Sequence, residues 1–585
     1  MKNVGSIRRS QVVTTFGPGA ITDFRLPSGA LLSGVMQGLD AWDGYALPRN
    51  RGISDPQLIR EPRLESKLGV KGFRPPPIGQ DKVQNEKRDR VLPIRRFPDW
   101  QSCPECHVIQ PAGRWAPSKS GDSLHCGSCT GKPAVLPVRF VTICPNGHLN
   151  DFPWRRWLSH RAQCERPLLR LVTKGAGISG LMVECMGCGS SRSMGEAFSP
   201  KGIPGNSCQG GRPWLQDFEV GCPAPPRITQ RGASNVYFPI EESAISLPDW
   251  HSHFMDRLGA HWHTLDGFDD EAFLLQYATK KIMPTWEGPE TPTDIVHLIL
   301  EIRKTAEDGQ DADLRRPEFN MLSTDTTAAG AETRHLLNIR QAVPARLMAW
   351  VFWLSAVERL REVRALTGFT RLRAQIGGFP DASPLCREPK DWLPGVEVHG
   401  EGMFLALDND AIKTWEARPE VSRHIQGLIQ AWFEARRIDG DEPDSAPERL
   451  SARYILVHTL AHALMARLSL DSGYSSSSLR ERLYVGPEMA GLLIYTSTPS
   501  ADGTMGGLSR QARPKRFETL FLQALADQQL CSADPLCSEG LASVSGSGNH
   551  AACHSCAFLP ETSCESFNSF LDRNLLSAGG LSFFS

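Results

Sequence analysis

The feature that most constrains this chain is where its cysteines fall. Of sixteen, ten lie between Cys103 and Cys222 and five between Cys531 and Cys564, while Cys386 stands alone. Many are spaced as CxxC pairs. A disulfide framework belongs to small secreted domains, but the N-terminus MKNVGSIRRSQVV carries positive charge with no apolar signal-peptide core behind it. Clustered, CxxC-spaced cysteines in such a chain predict several structural zinc ions.

The spacings then group the ligands. Cys103-Pro-Glu-Cys106 and Cys126-Gly-Ser-Cys129 are two knuckles with 19 residues between them, the pattern of a zinc ribbon in which each tight turn supplies two thiolates. Cys144-x3-His148 and His160-x3-Cys164 mirror each other in CPNGHLNDFPWRRWLSHRAQC, and predict a closed site of two Cys and two His. A nucleophilic Cys144 with His148 as its base would leave His160 and Cys164 unexplained. Cys185 and Cys188 form a half-site whose nearest unassigned partners are Cys208 and Cys222. That grouping closes a third site of four thiolates; the alternative, which spacing does not exclude, is that ligands swap between the second and third sites. In the tail, Cys531, Cys537, Cys553 and Cys556 make a fourth set, with Cys564 as a fifth thiol able to replace one of them. Closed shells hold folds together and leave no position for an activated water.

Other motifs carry weaker chemistry. His458 and His462 in HTLAH sit at i and i+4 like the HExxH metalloprotease pair, but Thr459 stands where the general-base Glu belongs. The pair is expected to be packed or hydrogen-bonded. A zinc hydrolase or nuclease built on it is the alternative and would need a further ligand such as Asp471 or Asp502. TFGPGAITDF lacks the GK[ST] ending of a P-loop, and Pro18 removes a backbone donor. DGTMGGLSRQARPKRF places Arg510, Arg513, Lys515 and Arg516 after a glycine loop. These are candidate DNA contacts, or an ordinary solvated face. Trp154, Arg155, Arg156 and Trp157 combine aromatic and basic groups as single-strand binders do, and serve equally as packing beside zinc.

At 585 residues the chain has room for two to four domains, and its net charge of −1 gives no global sign of nucleic-acid binding. The longest near-apolar run, LMAWVFWLSAV, is about half of the ~20 residues of a membrane span. A cytoplasmic protein without membrane contact is expected. The regions read as 1–100, rich in Gly, Pro and Arg; 101–226, Cys-rich; 227–440, mostly helical; and 451–585, a mixed tail. Lys67–Arg96 reads as an exposed loop. DEAFLLQYATKK, DIVHLILEIRKTA and ARLMAWVFWLSAVERLREVRAL have helical spacing, the last over five or six turns. VEVHGEGMFLALD reads as a short strand pair, ARYILVHTLAHALMARL as a helix and GLLIYTST as a strand. The fold class is therefore α+β and multidomain: a zinc-ribbon-like Cys-rich region, a helical middle region, and a mixed α/β C-terminal domain with a Cys cluster.

Taken in order, these segments match a family. RRSQVVTTFGPGAITDF resembles the N-terminal signature RRSQ-x5-GPGA of the DrmB proteins of the DISARM anti-phage defence system. CPNGHLNDFPW, RGASNVYFP, REVRALTGFTRL and GEGMFLALD follow. The tail, from HTLAHAL through LLIYTS, DGTMGGL, ACHSC, LPETSCE and LDRNLL, is similar to a C-terminal domain shared with certain superfamily 2 helicases. The resemblance spans nearly the whole chain. It implies a subunit without a recognised catalytic centre, working beside a DrmA-like helicase ATPase that engages DNA, with ATP hydrolysis in the partner.

Overall fold

Strands from distant parts of the sequence meet in one seven-stranded sheet. The computed structural model describes residues 5–42, 58–77, 79–83, 86–90, 92–119, 121, 123–160, 164, 167–198, 207–247, 258, 261, 265, 268, 270–286, 291–307, 313–326, 335–374, 382–438, 443–496, 507–541 and 546–585. The strands are β1 (Phe73–Arg74), β2 (Phe238–Ile245), β3 (Leu336–Gln341), β4 (Val351–Thr370), β5 (Leu393–Leu407), β6 (Leu479–Gly486) and β7 (Met489–Thr496). Their order is β2-β4-β5-β7-β6. β3 takes the part of the β4 edge that β2 leaves, and β1 joins the start of β5 in parallel.

β4 is where the helical expectation fails. ARLMAWVFWLSAVERLREVRAL forms a single 3-10 turn, Ala345–Leu347, and then a 20-residue strand. Leu354 and Ala356 face one apolar cluster while Trp353 and Val357 face another, so both sides of the strand are covered. A strand buried on both faces reads as a continuous apolar run, which spacing alone does not separate from a buried helix. Glu358 and Arg359 are exposed, but Arg361, Glu362 and Arg364 are interior, and Arg364 and Glu362 pair at 2.6 Å. The expected strand pair in VEVHGEGMFLALD is likewise one 15-residue strand, β5. Gly400 lets β5 pass close to its neighbour, since a Cβ there would meet the Thr496 carbonyl oxygen at 1.7 Å.

Three long helices cover the C-terminal end of this sheet: α1 (Pro419–Ile438), α2 (Ala452–Ser472) and α3 (Pro514–Asp527). The Ser451 side chain caps α2 by accepting from the Tyr454 N–H, and Gly473 ends it in the left-handed conformation at φ 69. Residues 453–465 are buried without a break. A helix apolar on all sides belongs inside, and Ile455, Leu460 and Leu464 share a cluster with β4 to β7. The other helical expectations hold at Glu271–Tyr277 and Pro292–Glu307. Part of Lys67–Arg96, expected as a loop, pairs as a hairpin of Gly79–Val83 with Glu86–Arg90.

The N-terminal signature is a packing device. Val12 and Val13 are buried with Leu366 and Phe369 of β4. Gly19 has φ +88, and a Cβ there would lie 2.5 Å from the Phe369 ring. Arg371, just past β4, donates to the carbonyls of Gly147 (2.7 Å) and Gly19 (2.9 Å) and to that of Val236. One buried guanidinium thus ties the signature turn to the CPNGH loop. Among the described residues no helix is long and apolar enough to cross a membrane.

Candidate metal centres

Four clusters of four Cys or His side chains stand out. A tetrahedral zinc with Zn–S of about 2.3 Å requires sulfur–sulfur edges of about 3.8 Å, far longer than the ~2.05 Å of a disulfide. The ribbon meets that geometry. Strands Trp100–Ser102 and Val108–Pro111 flank the first knuckle, and the second follows Leu124–His125. Cys103 and Cys129 lie 3.7 Å apart, Cys106 and Cys126 3.8 Å, and Cys126 and Cys129 3.7 Å. Burial opposes ionisation of Cys126, but the backbone N–H groups of Ser128 and Cys129 bring its pKa down to about 7.

The second and third clusters are exchanged relative to the simplest reading of the sequence. The structure does not bring Cys144 and His148 to His160 and Cys164; it brings them to Cys208 and Cys222. The strand Phe140–Ile143 pairs with Leu149–Asp151 on one side and Arg227–Gln230 on the other, which carries the Cys208–Cys222 segment over the CPNGH turn. His148 Nδ1 is 3.3 Å from Cys144 Sγ and 3.6 Å from Cys208 Sγ. Its other nitrogen, Nε2, is 3.1 Å from Glu219, the carboxylate partner that orients a ligating imidazole. The Cys144 thiol, more than His148 and the Gly210 N–H, pulls Cys208 down to about 4 against the opposing effect of burial.

His160 and Cys164 meet Cys185 and Cys188 instead. Cys185 ends the strand Leu181–Cys185, and Cys188 sits in the turn to Ser191–Ser193. Cys164 and Cys185 are 3.7 Å apart, and His160 Nδ1 is 3.5 Å from Cys188 Sγ. DFPWRRW packs into the apolar cluster that holds Cys185, with Cys164 and Cys188 at its edge. Trp154 and Trp157 are fully buried beside Phe152, and Arg192 stacks 3.7 Å over Trp157, so the indoles are packing groups.

In the tail, Cys531, Cys537, Cys553 and Cys556 converge after α3, with sulfur pairs at 3.6 to 3.8 Å. His554 turns away against Phe558. Cys564 is not in this set. It is buried beside His458 and His462, and Glu481 of β6 completes the group. Asp471 pairs instead with Arg467 at 3.0 Å, and Asp502 lies outside the described residues. Sequence reasoning missed Glu481 altogether. Cys564 was visible only as a leftover thiol, and a carboxylate in the strand RERLYV gave no signal. Arg510, Arg513, Lys515 and Arg516 are all exposed at the start of α3.

Comparison with known proteins agrees with this picture. Residues 460–557, which hold the tail cluster, match the MrfA Zn-binding domain, and residues 8–238 match a domain of unknown function (DUF8724). The DISARM protein DrmB of Bacillus paralicheniformis is 30% identical over 493 residues, covering 77% of this chain and 82% of that protein. The chain belongs to the DrmB family. It carries a zinc-binding domain, and its tetrads are suited to structural zinc ions.

Proposed function

We propose that the chain is a non-catalytic, zinc-stapled cytoplasmic subunit of an anti-phage DISARM complex, which binds a DrmA-like helicase ATPase and helps it engage DNA. Membership of the DrmB family supports the defence role. The observation that carries the scaffold reading is that each of the four tetrads has four protein donors and so no open position. In this reading Cys103, Cys106, Cys126 and Cys129 hold one ion, and Cys144, His148, Cys208 and Cys222 a second. His160, Cys164, Cys185 and Cys188 hold a third, and Cys531, Cys537, Cys553 and Cys556 a fourth. Bound zinc would supply cross-links, and the side chains around it would present a rigid surface.

The DNA contact is assigned to Arg510, Arg513, Lys515 and Arg516. Lys515 and Arg516 lie in the first turn of α3 and Arg513 at its cap, where the helix dipole disfavours cations, so helix stability does not account for these three; Arg510 precedes them in the turn Ser509–Ala512. The alternative hydrolase reading on His458 and His462 is disfavoured because two further protein side chains, Glu481 and Cys564, face the same point.

The test is duplex DNA binding by the chain with its helicase partner across a salt series. Replacing the four cations by Ala should leave the protein complex intact and flatten the slope of log affinity against log salt by about 3 to 4. An unchanged slope would remove the DNA assignment, and no co-purification with the helicase would remove the partner.

A further inference from the structure

The group of His458, His462, Glu481 and Cys564 has geometry that hydrogen bonding alone does not explain. The two imidazoles lie one turn apart on α2, with ring centroids 4.6 Å apart. His458 Nδ1 is 3.2 Å from the Phe570 carbonyl oxygen, and His462 Nδ1 is 2.7 Å from that of Ala557. A carbonyl only accepts, so each Nδ1 carries a proton, and the neutral ring then turns the Nε2 lone pair inward. His458 Nε2 lies 3.1 Å from Glu481 Oε1 and 3.1 Å from Cys564 Sγ. His462 Nε2 lies 3.6 Å from Glu481 Oε2, too far for a hydrogen bond.

Two electron-pair donors are thereby left over. His462 Nε2 and Glu481 Oε2 are buried with no hydrogen-bond partner among the described residues, although both side chains have no exposed surface. The other carboxylate oxygen, Oε1, is held by the Glu565 N–H at 3.0 Å. Cys564 Sγ accepts from the N–H groups of Ser566 and Asn568, both at 3.3 Å, as the ribbon sulfur of Cys103 does from the Cys106 N–H at 3.5 Å. Two buried electron-pair donors facing each other at 3.6 Å, with a thiol and a second imidazole alongside, are the donor set of a metal ion.

We propose that His458, His462, Glu481 and Cys564 form a fifth metal site, holding one zinc ion through both Nε2 atoms, Glu481 Oε2 and Cys564 Sγ. Two imidazoles, a thiolate and a carboxylate suit zinc and not magnesium or calcium, which take oxygen donors. The carbonyls of Phe570 and Ala557 are the outer partners that orient the rings. A cavity of about 620 Å³ has Glu481 and Cys564 on its wall. With four protein donors the site is closed and structural. It clips the segment that follows the tail knuckle to α2 and to β6.

The experiment uses the full chain and is independent of the subunit role. Anomalous scattering at the zinc edge from crystals of the wild-type protein should give a peak within about 2.0 to 2.3 Å of these four donors, besides those at the tetrads. Zinc per chain, measured by mass spectrometry against amino-acid analysis, should be five for wild type and four for Cys564→Ser and for Glu481→Gln. Peaks at the four tetrads with none here, or the same zinc count in wild type and both variants, would overturn the proposal. If the variants do not fold, the wild-type map decides alone. Missing peaks at the tetrads would count against the scaffold reading and leave this site to be judged by its own peak.

Discussion

The zinc ribbon and the core around α2 bury cysteine in opposite ways. In the ribbon, the buried apolar residues other than cysteine are Trp115 and Val135, so the cluster amounts to a metal site with a thin apolar coat. Around α2, apolar side chains from α1, α2, α3 and β4 to β7 pack together, and the His–Glu–Cys group sits inside them. The difference teaches that similar donors serve different ends. In the ribbon an ion stands in for a core too small to fold alone, whereas at α2 a large core holds the donors in place before any ion arrives.

The sharpest way to break this contrast is to remove zinc. Structural zinc contributes roughly 10 to 16 kcal/mol in isolated finger peptides, so Cys106→Ser or a strong chelator should abolish hydrogen-exchange protection over residues 100–137. Backbone amides of α2 should keep theirs. Simultaneous loss in both regions would show that the two are one cooperative unit.

A smaller effect is expected from charge within the sheet core. Arg482 grips Glu318 through two bonds of 2.6 and 2.8 Å, with both side chains buried. Glu318→Ala removes the carboxylate that Arg482 grips, leaving the guanidinium with Ser243 and with Glu362 at 3.9 Å, and should destabilise the sheet by about 3 to 5 kcal/mol in urea unfolding. Zinc content at the ribbon should not change. Ribbon zinc lost together with the sheet would contradict the comparison.

The mildest effect is acid sensitivity. Hydrogen bonds from His399 and then Arg361 hold Glu397 down at about 2, against the usual carboxylate value of about 4.3. A depressed folded-state pKa stabilises the fold above the unfolded value, and that contribution disappears as pH falls through about 2. Wild type should therefore lose urea resistance between about pH 4.3 and 2, and Glu397→Gln should show a flatter decline over that window. Equal slopes would remove Glu397 from the account.

Local chemistry was legible in the sequence and long-range pairing was not. The CxxC knuckles, the ribbon and the tail cluster could be read from spacing, because each turn fixes its own two ligands. The exchange of partners between the clusters of Cys144 and Cys185 depends on which strands pair, and spacing carries no record of it. α2 could be read because its run is long and rich in Leu, Ala and Met, which favour helix, and the fold then closes it with the Ser451 cap and Gly473. β4 could not, since Leu, Ala, Arg and Glu favour helix and only pairing on both edges overrides them. Glu481 stayed hidden because one carboxylate in a strand resembles any other until the fold brings it beneath two imidazoles.

The long strands also bear on how the molecule divides. β4 and β5 start or end in the N-terminal cluster, at Phe369 and Val396, and run into the α2 cluster at Leu354 and Leu405. β6 and β7, within the zinc-binding match, complete a sheet whose other strands precede residue 408. Cutting the chain before α2 would strip β5 from β7 and bare a row of unpaired backbone groups along an apolar edge. Such an edge recruits other strands, so the excised tail should aggregate even with its cysteine tetrad filled.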